Sequence, residues 1–290
     1  MVTTSFWSRL LPARFGRRVP VLPVVKLHGT IGLGSSLRPA LSLDSVNPAL
    51  ERAFSYRGVP AVLLAVNSPG GSAVQSALIH NRVRQLAEQK KVKVITFCED
   101  VAASGGYWLA TAGDEIYADH ASIVGSIGVL YASFGFVEAL NRLGVERRVH
   151  TAGKSKMMLD PFQPQRKDDV ARLKTMQADI HEVFKTLVKT RRDGKLKADD
   201  EELFSGAFWS GGQALRLGLV DGLGSLHDVV KDKFGAEAIV KPISRPSSWM
   251  RWLRVPPRVG SGRSGHLAAG LAEELIEALE ARALWQRFGL

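Results

Sequence analysis

Two valine-rich apolar runs, Val59–Val66 and Val92–Cys98, flank an amphipathic stretch, Ser72–Gln89, and no other feature of the sequence limits the fold as much. The runs are short, rich in β-branched residues and largely apolar, as expected of strands covered on both faces. Between them Val74, Leu78, Val83 and Leu86 recur at roughly helical spacing, and Lys90, Lys91 and Lys93 follow where cations complement a helix C-terminus. A strand, a helix and a strand in this order form a crossover unit, which requires a parallel sheet and therefore an α/β fold.

The flanking chain extends this pattern. Val21–Leu27 reads as a further buried strand, followed by a loop marked by Gly29, Gly32 and Gly34, and Asn47–Phe54 as a helix. Beyond Cys98, the apolar run Tyr107–Ala112 opens after Ser104-Gly105-Gly106, and Glu115–Ala118 is a short strand. Ser122–Leu130 is apolar and broken by Gly125 and Gly128. Phe136–Leu143 predicts a helix and Val145–His150 a strand. Gln165–Thr190 is the clearest amphipathic helix, with Leu173, Met176, Ile180, Val183, Phe184 and Leu187 in one stripe. Asp168 and Asp169 near its start, and Lys185, Lys189, Arg191 and Arg192 near its end, suit the dipole. Residues 210–221 read as a loop, a short helix and a strand start.

The chain divides into four parts. Residues 1–20 are a basic amphipathic tail, with Phe6, Trp7, Leu10 and Leu11 before Arg14, Arg17 and Arg18. Residues 21–240 are the α/β domain. Residues 241–265 are a linker rich in Pro, Ser, Gly and Arg, carrying Trp249 and Trp252. Residues 266–290 are an amphipathic helix with Leu267, Leu271, Leu275 and Leu279 along one face. No apolar stretch is long enough to span a bilayer. Because the charge follows the apolar segment at the start, no cleaved signal is read there. These features predict a cytoplasmic protein, or one peripheral at the inner membrane.

The formal net charge of +11 favours an acidic partner such as an anionic membrane or an acidic protein, although many basic proteins merely carry a basic surface. No zinc-finger, RNP or basic-region pattern supports nucleic acid. Cys98, the single cysteine, excludes an intrachain disulfide and reads as a small buried hydrophobe. Phosphate-loop, His-Glu-x-x-His and paired Cys-x-x-Cys motifs are absent, so no nucleotide, metal or organic cofactor is expected.

Three segments carry chemistry. Asn67-Ser68-Pro69-Gly70-Gly71-Ser72 follows a strand and opens a helix, and its glycines let backbone N–H groups approach a ligand. By itself it is equally a plain turn. Ala102-Ala103-Ser104-Gly105-Gly106-Tyr107 presents a serine between small residues, which alone reads best as a helix N-cap. Gly153-Lys154-Ser155-Lys156 is a loop whose lysines are ordinarily solvated, and spacing alone selects neither as a base.

Together these segments resemble the bacterial signal peptide peptidase SppA family in its short form, whose fold is that of Clp protease and crotonase. The resemblance also rests on Gly125-Ser126-Ile127-Gly128-Val129, on Pro161-Phe162, and on Gly212-Gln213-Ala214 through Gly218-Leu219-Val220-Asp221, and it runs from about Val21 to Lys233. It implies repeated ββα units with a parallel sheet plus a C-terminal helical extension. It also implies hydrolysis of remnant signal peptides, or of other membrane-derived or unfolded peptides, through an acyl-enzyme.

Carried over by motif, Ser104 is the nucleophile and Lys156 the general base. Gly70, with Gly71 beside it and the Ser104 N–H, lines the oxyanion hole, and Ser126 orients the lysine. A free lysine has a pKa of about 10.4, whereas a base working at neutral pH needs one near 7 to 8. That shift of about 3 units corresponds to about 4 kcal/mol. Lys156 is therefore expected in a dry pocket, with Asp160 turned away. The short form also implies a ring-like homo-oligomer in which serine and lysine meet across a subunit interface. Family members often carry a membrane anchor. Here the basic tail and Trp249–Arg254 suggest peripheral contact with an anionic bilayer instead.

Three other readings stay open. A histidine base is one, although no Gly-x-Ser-x-Gly elbow occurs and His28 and His120 read as structural. A crotonase-like acyl-CoA enzyme would use the same paired N–H groups without an acyl-enzyme. A non-catalytic binding module on the same fold is the third.

Overall fold

The structure, a computed structural model, describes residues 19–32, 40–243 and 282–290. The basic tail, the Trp249–Arg254 segment and the leucine face of residues 267–279 lie outside the described residues.

Eight strands and eight helices follow in chain order. The first half comprises β1 (Val21–His28), α1 (Leu43–Phe54), β2 (Ala61–Ser68), α2 (Ala73–Lys90), β3 (Lys93–Ala103), α3 (Gly105–Ala110), β4 (Glu115–Ala118) and β5 (Ile123–Gly125). The second comprises α4 (Val137–Leu143), α5 (Lys167–Arg191), α6 (Asp200–Leu203), β6 (Phe208–Ser210), α7 (Gly211–Leu217), β7 (Gly222–Leu223), α8 (Leu226–Phe234) and β8 (Ile239–Pro242). Residues 282–286 are helical.

The strands make one sheet in the order β6-β5-β3-β2-β1-β8, with β4 pairing β3 and β7 beside that path. Every pair is parallel except β5 with β6. The uniform apolarity of β2 has a direct cause. Val62, Leu64 and Val66 face one core with helices α1, α2 and α3, while Ala61, Leu63 and Ala65 face a second core closed by Val229 and Val230 of α8. Both faces of the strand are covered, so no polar alternation survives.

β3 is the element that builds the site. Its first half, Ile95–Cys98, pairs β4, and its end, Val101–Ala103, pairs β5. The divergence opens a cleft at the carboxyl ends of the parallel strands, where open α/β sheets place their ligands.

Three expectations are corrected. Residues 145–150 form no strand: they are exposed and lie beyond the sheet, where β-propensity has no partner to pair with. In α2 the buried face is Ile79, His80, Val83, Leu86 and Ala87, while Val74 and Leu78 are exposed. In α5 only Phe184 of the predicted stripe is buried, joined by Val188 one turn on. Met176, Ile180 and Val183 remain exposed because this part of the helix overhangs the sheet.

The Gly218–Asp221 motif proves to be a brace. Arg192, 2% exposed, donates from Nε and Nη2 to the Gly218 carbonyl at 3.0 and 2.7 Å and from Nη1 to Asp221 at 2.7 Å. Tyr107 of α3 donates to the Leu219 carbonyl at 2.8 Å, which ties the site helix to this brace.

Candidate active site

Ser104 ends β3 and begins α3 with φ 52° and ψ −121°. A non-glycine residue at positive φ is strained, and such strain persists only where the surroundings impose it. Here β3 pairing fixes the chain before Ser104, and buried Tyr107, Trp108 and Leu109 fix the helix after it. The turn lifts the hydroxyl away from the helix, and the Ser104 side chain makes no capping bond. Ser104 thus holds the N-cap position of α3 without using its hydroxyl to cap it. The strained strand-to-helix turn exists without the Gly-x-Ser-x-Gly sequence that usually announces it.

Gly70 packs directly against this turn. A Cβ on Gly70, whose φ is 103°, would lie 2.8 Å from Ser104 Cβ and 2.9 Å from the Gly105 nitrogen. Only glycine permits that approach. Gly71 is held by the segment after β1: the Ile31 N–H donates to the Gly70 carbonyl at 2.9 Å, and the Ser72 N–H to the Ile31 carbonyl at 2.7 Å.

The hydrogen bonds reassign the donors of the expected oxyanion hole. The Ser104 N–H donates to the Gly125 carbonyl at 2.7 Å, continuing the β3–β5 pairing, so it does not face the cleft. The Gly70 N–H donates to Ser68 Oγ at 3.2 Å. The N–H groups of Gly71 and Gly105 have no acceptor among the described residues, and both glycines line the cleft with Ser104. Gly105 was missed from sequence, yet the first N–H groups of any helix lack intrahelical partners.

Two hollows meet at Ser104. The larger, about 360 Å³, has Trp108, Phe184, Ile180 and Leu130 as apolar walls and Leu284 and Arg287 at its edge. The second, about 350 Å³, is more polar and holds Ser126, His181, Ser205 and Arg287. Ser126 is buried, has a φ of 51°, and donates its N–H to the Ala207 carbonyl at 2.6 Å. The predicted residues Gly70, Gly71, Ser104 and Ser126 therefore converge.

Lys156 does not join them within one chain. It is exposed, in the loop between α4 and α5, and lines neither hollow. Its expected dry pocket is not formed among the described residues. Asp160 is buried and pairs with Arg147, whose guanidinium holds the carboxyl below its usual range.

Among the histidines, His181 reaches the cleft, and its Nε2 lies 3.1 Å from the Ile127 carbonyl oxygen, which makes that nitrogen the donor. No carboxylate among the described residues bonds it. His28 sits instead 2.8 Å from Glu99 and lowers the Glu99 pKa. Cys98 is buried in β3, and burial pushes its thiol up to about 12, so it is an inert hydrophobe. Among the described residues there is no cluster of His, Cys, Asp and Glu able to hold a metal ion.

Comparison with known proteins agrees with this architecture. The profile described as Peptidase family S49 matches residues 86–238. Protease 4 of Haemophilus influenzae is 34% identical over 213 residues, covering 72% of this chain and 34% of that protein. A Brucella abortus protein named Na(+)/H(+) antiporter NhaA is 49% identical over 287 residues, covering 98% of this chain and 39% of that one. The chain thus spans well under half the length of these two relatives. No helix among the described residues is long and apolar enough to cross a membrane. A solved structure of a membrane-bound stomatin-specific protease superposes with a TM-score of 0.52 at 15% identity, covering 80% of this chain and all of that one. That likeness shows the fold alone, which is the Clp protease and crotonase-like arrangement.

Proposed function

Since this chain belongs to peptidase family S49, the family of SppA, we propose that it is a serine endopeptidase in which Ser104 attacks a peptide carbonyl and Lys156 of a neighbouring subunit is the general base. The observation that carries this reading is the strained Ser104 turn, whose uncapped hydroxyl stands beside the unbonded N–H groups of Gly71 and Gly105.

The steps follow from that arrangement. The lysine amine takes the hydroxyl proton as Oγ adds to the scissile carbonyl. The resulting oxyanion is met by the Gly71 and Gly105 N–H groups. Collapse expels the amine, which receives the proton, and leaves an acyl-Ser104. Water, deprotonated by the same lysine, then releases the acid. Ser126, buried beside Ser104, accepts a hydrogen bond from the incoming lysine amine and orients it.

The exposure of Lys156, together with that of the apolar residues Leu130, Phe134, Phe136, Met176 and Val183, supports an interface at which that amine is desolvated. Desolvation disfavours an ammonium and so favours the free base. The Trp108, Phe184 and Ile180 walls suit an apolar side chain of an extended peptide, as remnant signal peptides and other membrane-derived segments offer. The net charge of +11 supports contact with an anionic bilayer.

Fluorophosphonate labelling tests the nucleophile. The probe is expected on Ser104 in the wild type and to be lost in Ser104→Ala. Peptide hydrolysis is expected to vanish in both Ser104→Ala and Lys156→Ala. Mixed oligomers of the two variants should regain activity, because a site with both groups intact forms between unlike subunits. Absence of complementation rejects the shared site, and activity surviving in Lys156→Ala points to His181 as base.

A further inference from the structure

The 282–290 segment is built into the wall of the cleft. Trp285 and Phe288 pack on Val101, Ala103 and Ile123 at the ends of β3 and β5, and the Phe288 ring meets Phe208 edge-on with centroids 5.2 Å apart. This anchoring sets the helical turn so that Leu284 lines the larger hollow and Arg287 lines both.

Arg287 is the only Asp, Glu, Lys or Arg side chain in the two linings. It makes no salt bridge with any described residue, while thirteen other ion pairs occupy this structure. The rest of the larger hollow is apolar, with Trp108, Phe184 and Leu130 in its walls. Arg287 is exposed, so water fills its donors until a ligand brings acceptors. Its planar fork matches a carboxylate bidentately.

We propose that Arg287 is a specificity-determining residue that selects peptides presenting a carboxylate a short distance from the bond held at Ser104. This inference rests on the peptidase reading above and names its substrate class: peptides combining an apolar side chain for the Trp108 wall with a carboxylate for Arg287. Two sources offer that group, an acidic side chain or the free carboxyl end of the peptide.

The test measures binding in the full-length protein carrying Ser104→Ala, so that it does not depend on turnover. Four fluorescent peptides share one apolar core: one with Glu scanned along it and an amidated end, one with Gln in place of Glu, one with Lys, and the Gln peptide with a free carboxyl end. The expected result is about tenfold tighter binding of a carboxylate peptide than of its Gln amide, the size of one charge-assisted bond. Preference for the Glu amide identifies a side chain, and preference for the free-ended Gln peptide identifies a terminus. Arg287→Gln should erase the preference, Arg287→Lys should keep part of it, and Arg287→Glu should invert it toward the Lys peptide. Equal binding of all peptides, no binding of any, or a preference that persists in Arg287→Gln overturns the inference. Fluorophosphonate labelling of Ser104 in the wild type reports separately on the peptidase reading, so the two failures are distinguishable.

Discussion

At the scale of single residues the site depends on what is missing from Gly70. Its hydrogen is the only substituent that fits between Ser104 Cβ and the Gly105 nitrogen. Gly70→Ala is therefore expected to push the Ser104 turn out of place and to remove fluorophosphonate labelling by at least about 100-fold, the loss associated with one oxyanion-hole donor. Circular dichroism on the same sample should show a folded chain, which separates displacement of the site from unfolding. Arg192 poses the opposite problem, a buried charge satisfied completely. Arg192→Ala takes from the Gly218 carbonyl its two guanidinium donors and from Asp221 its buried partner, leaving Asp221 only Lys195 and the Ile116 N–H, and should cost about 3 kcal/mol in urea unfolding. The sequence marked residues 218–221 as a motif but carried no sign that an arginine 26 residues from Gly218 would complete it.

At the scale of elements, β4 is held to its neighbours by charge. Glu115 accepts from Lys93 at the start of β3, from Lys233 of α8 and from Tyr117. Burial pushes its pKa up, but these bonds outweigh burial and bring it down to about 2. A carboxylate with a depressed folded pKa adds stability above its unfolded value of about 4.3 and loses it as pH falls toward the folded value. Stability is thus expected to decline between about pH 4.5 and pH 2, and Glu115→Gln should flatten that part of the curve in urea titrations. Element identity was largely legible in sequence: β4 falls at Glu115–Ala118 as read, and α5 within two residues of its predicted ends. The strand read at 145–150 failed because pairing partners, which local pattern does not encode, are absent there.

At the scale of the whole molecule, α5 carries apolar residues that the described residues leave uncovered. Met176 is 49% exposed and Val183 58% exposed, and Leu130 and Phe134 are exposed as well. If a second subunit covers them, Val183→Asp should cost little in monomer stability, since exposed substitutions usually fall within about 0.5 kcal/mol. The same change should convert the assembly to monomers by light scattering and lower peptide hydrolysis by at least about 100-fold, because no lysine then reaches Ser104. A monomeric variant with full activity would place the base within one chain.

The character of the central strands follows from sequence alone, because burial on both sheet faces erases polar alternation and a strand-helix-strand crossover requires parallel pairing; the antiparallel β5–β6 pair and the β8 edge strand were not legible there. Ser104, Gly70, Gly71 and Ser126 were singled out by the resemblance of their motifs to the SppA family, since each segment alone read as an ordinary turn or cap. Which N–H groups face the cleft was decided by tertiary structure. β5 takes the Ser104 N–H into its pairing and leaves those of Gly71 and Gly105 unbonded, a choice set by strands distant in sequence. The position of Lys156 is of the same kind: an exposed loop acquires a dry environment only from what packs against it, and among the described residues Lys156 remains exposed.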